Sequence, residues 1–217
     1  MDKQAIIKQV AIVVRQKLED EGSGHDWWHI YRVWKMAQHI GREESTDMFV
    51  VELTALLHDI ADWKFHDGDD MVGPRVARQV LSEHSVPEDV INHVCEIIST
   101  MAFKGAGVKG EIRTLEGQVV QDADRLDAIG AIGIARTFAY GGHKGRPMHN
   151  PEQKPTMHQT KEEYIKSEGP TINHFYEKLL LLKDCMNTRT AKQLAEGRHR
   201  FMEEYLDRFF QEWKGKI

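Results

Sequence analysis

The chain has 217 residues, 41% hydrophobic and 29% charged, enough apolar content for one globular domain with its own core or at most two small ones. Its 29 Lys and Arg against 34 Asp and Glu leave a formal charge of -5. That balance argues against coating nucleic acid or anionic lipid by bulk electrostatics, while leaving room for a local basic pocket around one phosphorylated molecule. The apolar stretch Val10 to Val14 is too short for a secretory signal or a spanning helix, and Cys95 and Cys185 form no close-spaced metal motif. Composition thus predicts a soluble, reduced, cytoplasmic protein with no membrane or nucleic-acid partner.

Helical periodicity runs through nearly the whole chain. Ile6, Val10, Val13, Val14 and Leu18 form a stripe that predicts an amphipathic helix over 3–20, closed by Glu21-Gly22-Ser23-Gly24. A second helix is expected over 26–43 and a third over 47–61, with Phe49, Val50, Leu53, Leu56 and Leu57 as its buried face. Pro74 opens a fourth over 76–83, and Pro87-Glu88-Asp89 a fifth whose acids suit a helix N-terminus. One long helix is expected over 116–140, where Gly130 and Gly133 mark close backbone packing. Residues 141–158, with three prolines, read as a long polar loop, either disordered or a functional lid. Helices over 160–182 and 190–213 follow, and a hairpin around 105–114 is the one candidate for strand. The fold class is all-α, a single-domain helical bundle over 1–217 with its motifs in 25–140 and C-terminal helices in 160–213.

Three segments carry candidate chemistry. His58-Asp59 arrives at the end of an apolar helix, where a buried carboxylate needs a cation or good hydrogen bonds. A metal held by imidazole and carboxylate would serve, and so would a helix-end pair with the histidine on the negative dipole end. Asp62, at i+4 from His58 and i+3 from Asp59, shares their face, placed to hold or deprotonate a metal-bound water. His25 and His29 have the i, i+4 spacing of a ligand pair, although Asp26 also reads as an N-cap that leaves His25 outside the helix. Asp122, Asp124 and Asp127 crowd one helix among Val119, Val120 and Leu126 and repel one another unless Arg125 or a cation stands between helices. Trp27, Trp28 and Tyr31, beside the first histidines, read mostly as core.

The order His, then His-Asp, then Asp, one set per helix of an all-α chain, resembles the HD-domain metal-dependent phosphohydrolases from about His25 to Tyr140. The resemblance implies an HD-type bundle with metal ligands at His29, His58, Asp59 and Asp124. His29 is chosen over His25 because the family's first histidine lies inside the helix, a few residues before an Arg-Val pair, which Arg32-Val33 resembles. Asp124 is chosen over Asp122 because the family pattern has its ligand as the second Asp of an Asp-x-Asp, followed by a basic or polar residue. The run Gln121 to Gly130, with Tyr140-Gly141-Gly142, is similar to the bacterial YpgQ/YedJ-type HD hydrolases. That subgroup implies a nucleotide pyrophosphohydrolase splitting nucleoside triphosphates between the α and β phosphates. The implied cofactor is one divalent ion, with Mn2+ favoured over Mg2+ or another transition metal. Additional histidines of two-metal members have no clear match at His66, His84 or His93, so Asp62 resembles the acidic general base of the mononuclear nucleotidases.

Phosphoryl transfer needs positive charge around the non-bridging oxygens. Lys64 follows Asp62, and Arg32 lies one turn from His29. Lys104 and Lys109 stand in a Gly-rich stretch that lacks the P-loop pattern, Arg125 follows Asp124, and Lys144 and Arg146 stand in the polar loop. The alternatives are a 5'-nucleotidase-like phosphomonoesterase and a non-catalytic nucleotide or metal sensor, monomeric or homodimeric in any case.

Overall fold

The computed structural model describes residues 1–19, 26–61, 69, 71–101, 112–157 and 169–217, and every regular element among them is helical. Backbone packing divides the chain into two units, Met1–Ala123 and Asp124–Ile217. In the first, α1 (Lys3–Leu18), α2 (Trp27–Glu43), α3 (Met48–Leu57), α4 (Val72–Glu83) and α5 (Glu88–Met101) precede α6 (Leu115–Asp127), whose last turn opens the second unit. The second continues with α7 (Gly130–His143), α8 (Asn173–Glu177), a 3-10 helix (Leu179–Cys185) and α9 (Arg189–Trp213).

Burial in the first unit centres on α3, where every residue from Phe49 to Leu57 is buried. Helices α1, α2 and α5 pack around it, and α4 packs on α5. Each neighbour offers one stripe: Ile7, Val10 and Val14 from α1, Ile30, Val33 and Ala37 from α2, Ile91, Val94 and Ile98 from α5. Each large aliphatic side chain removed from water contributes about 1.5–3 kcal/mol, so this packing outweighs the modest helix propensity of the β-branched residues. The α2–α3 connection is tight. Ser45 takes φ 57°, Thr46 donates its N–H to the Gly41 carbonyl at 3.1 Å, and Asp47 caps α3 by accepting from the Phe49 N–H at 2.9 Å. One acid lies inside α3. Glu52, 5% exposed, accepts from Trp34 Nε1 at 2.9 Å and Gln38 Nε2 at 2.6 Å, so α2 supplies the donors its burial requires.

The second unit packs α7 and the 3-10 helix against α9. Its core is aromatic: Phe175 is fully buried, stacked at 6.0 Å on Tyr205, with Phe138 tilted against both Phe175 and Phe209.

Several expectations change. Helix α3 ends at Leu57 and not at Ala61; His58 is its C-cap, and the Ile60 N–H returns to the Leu57 carbonyl at 3.1 Å. The expected helix over 116–140 is two helices. Gly130 takes φ 74°, and a Cβ on Gly133 would stand 2.2 Å from the Ala128 carbonyl oxygen, the close backbone approach those glycines foretold. Helix α7 extends to His143, so the polar segment starts later than residue 141. From 144 to 157 it is strapped down. Thr171 and Ile172 donate to the Pro147 and Met148 carbonyls at 2.9 Å each, Thr156 donates to Glu177 Oε1 at 3.0 Å, and His149 packs edge-on against Trp213 at 4.9 Å. The expected helix over 160–182 is, within the described residues, short α8 followed by a 3-10 helix. Trp27 is core, whereas Trp28 is 57% and Tyr31 37% exposed. The candidate hairpin lies almost entirely outside the described residues. Both cysteines are free thiols, and no described helix is long and apolar enough to cross a membrane.

Candidate metal centre

His29 stands in the first turn of α2, where the Asp26 N-cap accepts its backbone N–H at 2.9 Å and so fixes the turn that carries the ring. His58 and Asp59 follow directly on α3, in the turn that ends it. Both imidazoles are buried, with side chains 1% and 3% exposed, while Asp59 is 28% exposed and so opens the cluster toward solvent.

The donor atoms converge. His29 Nε2 lies 3.5 Å from Asp59 Oδ2, His58 Nε2 lies 3.7 Å from the same oxygen, and the two rings meet edge-on at 5.5 Å. One ligand atom from each of the three residues falls within 4.8 Å of the others. The tautomer of His58 is set by its other nitrogen. Nδ1 lies 2.9 Å from the Ala55 carbonyl, which can only accept, so the neutral ring carries its proton there and Nε2 presents a lone pair. That buried lone pair faces a carboxylate oxygen, an arrangement that calls for a cation. Bonds of about 2.0–2.2 Å to one divalent ion bridge gaps of this size, and the imidazole–carboxylate set suits a borderline transition metal. The residues therefore fit a metal.

The remaining sequence candidates fall in different places. Asp124 is half-buried in the last turn of α6, whereas Asp122 is fully buried and Asp127 nearly so. Arg32 is half-buried one turn along α2 from His29. Arg125 donates to the Cys185 carbonyl. Lys144 Nζ and Arg146 Cζ lie 5.7 and 5.8 Å from the centroid of the exposed Tyr140 ring. Asp62, Lys64, Lys104 and Lys109 lie outside the described residues, as does His25. Because α3 stops at Leu57, helical spacing no longer argues that Asp62 shares a face with His58.

Sequence reasoning passed over three residues that meet buried or helix-end polar groups. Glu52 is foreshadowed by being the one acid in an otherwise apolar helix. Arg136 pairs with Asp127 at 2.7 Å, and Arg198 donates to the Leu126 carbonyl; no spacing rule links such partners across separate helices.

A family model described as HD domain matches residues 27–129, which include all three clustered residues and Asp124. YpgQ from Bacillus subtilis is 41% identical over 200 residues, 92% of this chain and 89% of that protein. An HD-superfamily hydrolase from Bacillus thuringiensis superposes with a TM-score of 0.79 and 45% identity, covering 98% of both chains. The structure of B. subtilis YpgQ in complex with ADP superposes with a TM-score of 0.78 and 36% identity, covering 98% of this chain and 97% of that one.

Proposed function

Because this chain belongs to the HD-domain metal-dependent phosphohydrolases, we propose that it hydrolyses nucleoside triphosphates between the α and β phosphates, releasing a monophosphate and pyrophosphate. The observation that carries the reading is the convergence of His29, His58 and Asp59 around one point, in a chain whose relative YpgQ binds ADP. Asp124 completes the ligand set, and Mn2+ is the favoured ion. When bound, a divalent ion lowers the pKa of its water and polarises a phosphoryl oxygen. The protein supplies the rest. Asp62 orients the attacking water and accepts its proton, and Lys64 and Arg32 place charge near the non-bridging oxygens. Lys104, Lys109, Arg125, Lys144 and Arg146 are the further phosphate-binding candidates.

Metal-stripped protein incubated with a nucleotide panel and added Mn2+ or Mg2+ tests the reading through its products. Monophosphate with pyrophosphate, in a metal-dependent reaction, supports it. Orthophosphate released from monophosphates assigns phosphomonoesterase chemistry to the same centre, and no turnover of any nucleotide with either ion refutes the substrate class.

A further inference from the structure

Asp124 lies in the last turn of α6, and that turn is finished by other helices. A helix C-terminus leaves carbonyls without intrahelical partners. Here the backbone tightens, with Ala128 N–H returning to the Arg125 carbonyl and Ile129 N–H to the Leu126 carbonyl, each at 3.2 Å. Two arginines then close over the end. Arg198 of α9 donates to the Leu126 carbonyl, and Arg136 of α7 bonds Asp127 Oδ2 at 2.7 Å while lying 3.5 Å from the Asp127 carbonyl.

Asp127 is the weak point of this turn. A carboxylate at a helix C-terminus opposes the dipole, and this one is 5% exposed, so it depends on neighbouring positive charge. Arg136 supplies a direct ion pair. Arg198 adds a second positive field: burial holds its guanidinium pKa below the usual value, and the Asp127 charge offsets part of that lowering. The Arg198 stem has room because residue 130 lacks a side chain; a Cβ on Gly130 would lie 3.0 Å from Arg198 Cγ. Arg136, with Arg198 behind it, thus neutralises Asp127, while the Arg125 guanidinium donates to the Cys185 carbonyl.

We propose that Arg136 and Arg198 are positioning residues for Asp124, clamping the last turn of α6 so that this carboxylate stays where a metal ion can use it. The inference rests on the reading of Asp124 as a metal ligand. Loss of either guanidinium loosens the turn and weakens the ion's hold, although neither arginine touches the ion.

The test is Mn2+ affinity of the metal-stripped full chain, measured by calorimetry and by the electron paramagnetic resonance signal of bound manganese, with circular dichroism melting alongside. Arg136→Gln and Arg198→Met are expected to weaken Mn2+ binding by about tenfold or more, the usual scale for a group that orients a ligand. Arg136→Lys, which keeps the ion pair, is expected to recover most of that loss. Should Arg136→Gln fail to fold, Arg198→Met carries the test, since it keeps the stem packed on Gly130. A merely structural role would lower the melting temperature without moving the affinity, and that result overturns the proposal. Asp124→Asn separates the two layers. If it loses Mn2+ while both arginine variants bind normally, the clamp is wrong and the ligand reading stands. If Asp124→Asn binds as the native chain does, the ligand reading falls and the proposal with it.

Discussion

His174 gives the protein a dated weakness to acid. The imidazole sits in α8, where burial foremost, then the Lys178 and Arg146 charges, push its pKa from 6.5 down to about 4. Above pH 6.5 the ring is neutral in folded and unfolded chains alike, and its contribution to stability is fully present. As the pH falls, the unfolded chain takes up a proton that the folded chain refuses, so stability is lost between pH 6.5 and 4 and levels off below. Linkage puts the loss at about 2 kcal/mol by pH 5, since each unit of difference is worth about 1.4 kcal/mol. Urea unfolding of the native chain and of His174→Asn, at pH 7.5 and pH 5, isolates the effect from every other titrating group. The native chain is expected to lose about 2 kcal/mol more than the variant between the two conditions. Equal losses would show that the ring protonates freely in the folded state, and the argument from burial and neighbouring cations would be refuted.

Other consequences are as specific. Gly133→Ala brings a methyl group to within 2.2 Å of the Ala128 carbonyl oxygen, a backbone atom that cannot swing aside, so a destabilisation of about 3 kcal/mol is expected in the urea midpoint. Glu52→Ala strips the acceptor from Trp34 Nε1 and Gln38 Nε2 and is expected to cost about 2–3 kcal/mol by the same assay, with Glu52→Gln milder because its amide oxygen still accepts. Asp59→Ala removes the oxygen that both histidines approach and is expected to abolish tight Mn2+ binding together with turnover. Asp62→Ala is expected to spare Mn2+ binding while lowering the rate; a matching loss of metal would make Asp62 a ligand instead of the residue that orients water.

The parts of the molecule legible in the sequence are those governed by local pattern. Val10, Val14 and Leu18 of the α1 stripe and the apolar run of α3 are written at helical period and are buried, although Ile7, and not Ile6, is the isoleucine that α1 buries fully. His58-Asp59 stood out because polar residues followed a run that predicts burial, and the structure brings them to His29. What escaped was set by the meeting of distant segments. Nothing in Asp127 announces Arg136, and the kinship of Arg198 with Gly130 exists only because α7 and α9 pack together. The end of α3 was misplaced for a related reason. Apolar periodicity continues through Ile60, but the backbone turns after Leu57, and Ile60 is buried from the turn and not from a helix.

The proposed chemistry depends on one divalent ion held among His29, His58 and Asp59. Crystals grown with Mn2+ and a nucleoside triphosphate analogue that cannot be cleaved between its α and β phosphates, measured at the manganese absorption edge, test it directly. An anomalous peak is expected about 2.0–2.3 Å from His29 Nε2, His58 Nε2 and Asp59 Oδ2, with a phosphate oxygen of the analogue beside it. Manganese bound away from these three atoms, or none bound at all beside an ordered nucleotide, would contradict it.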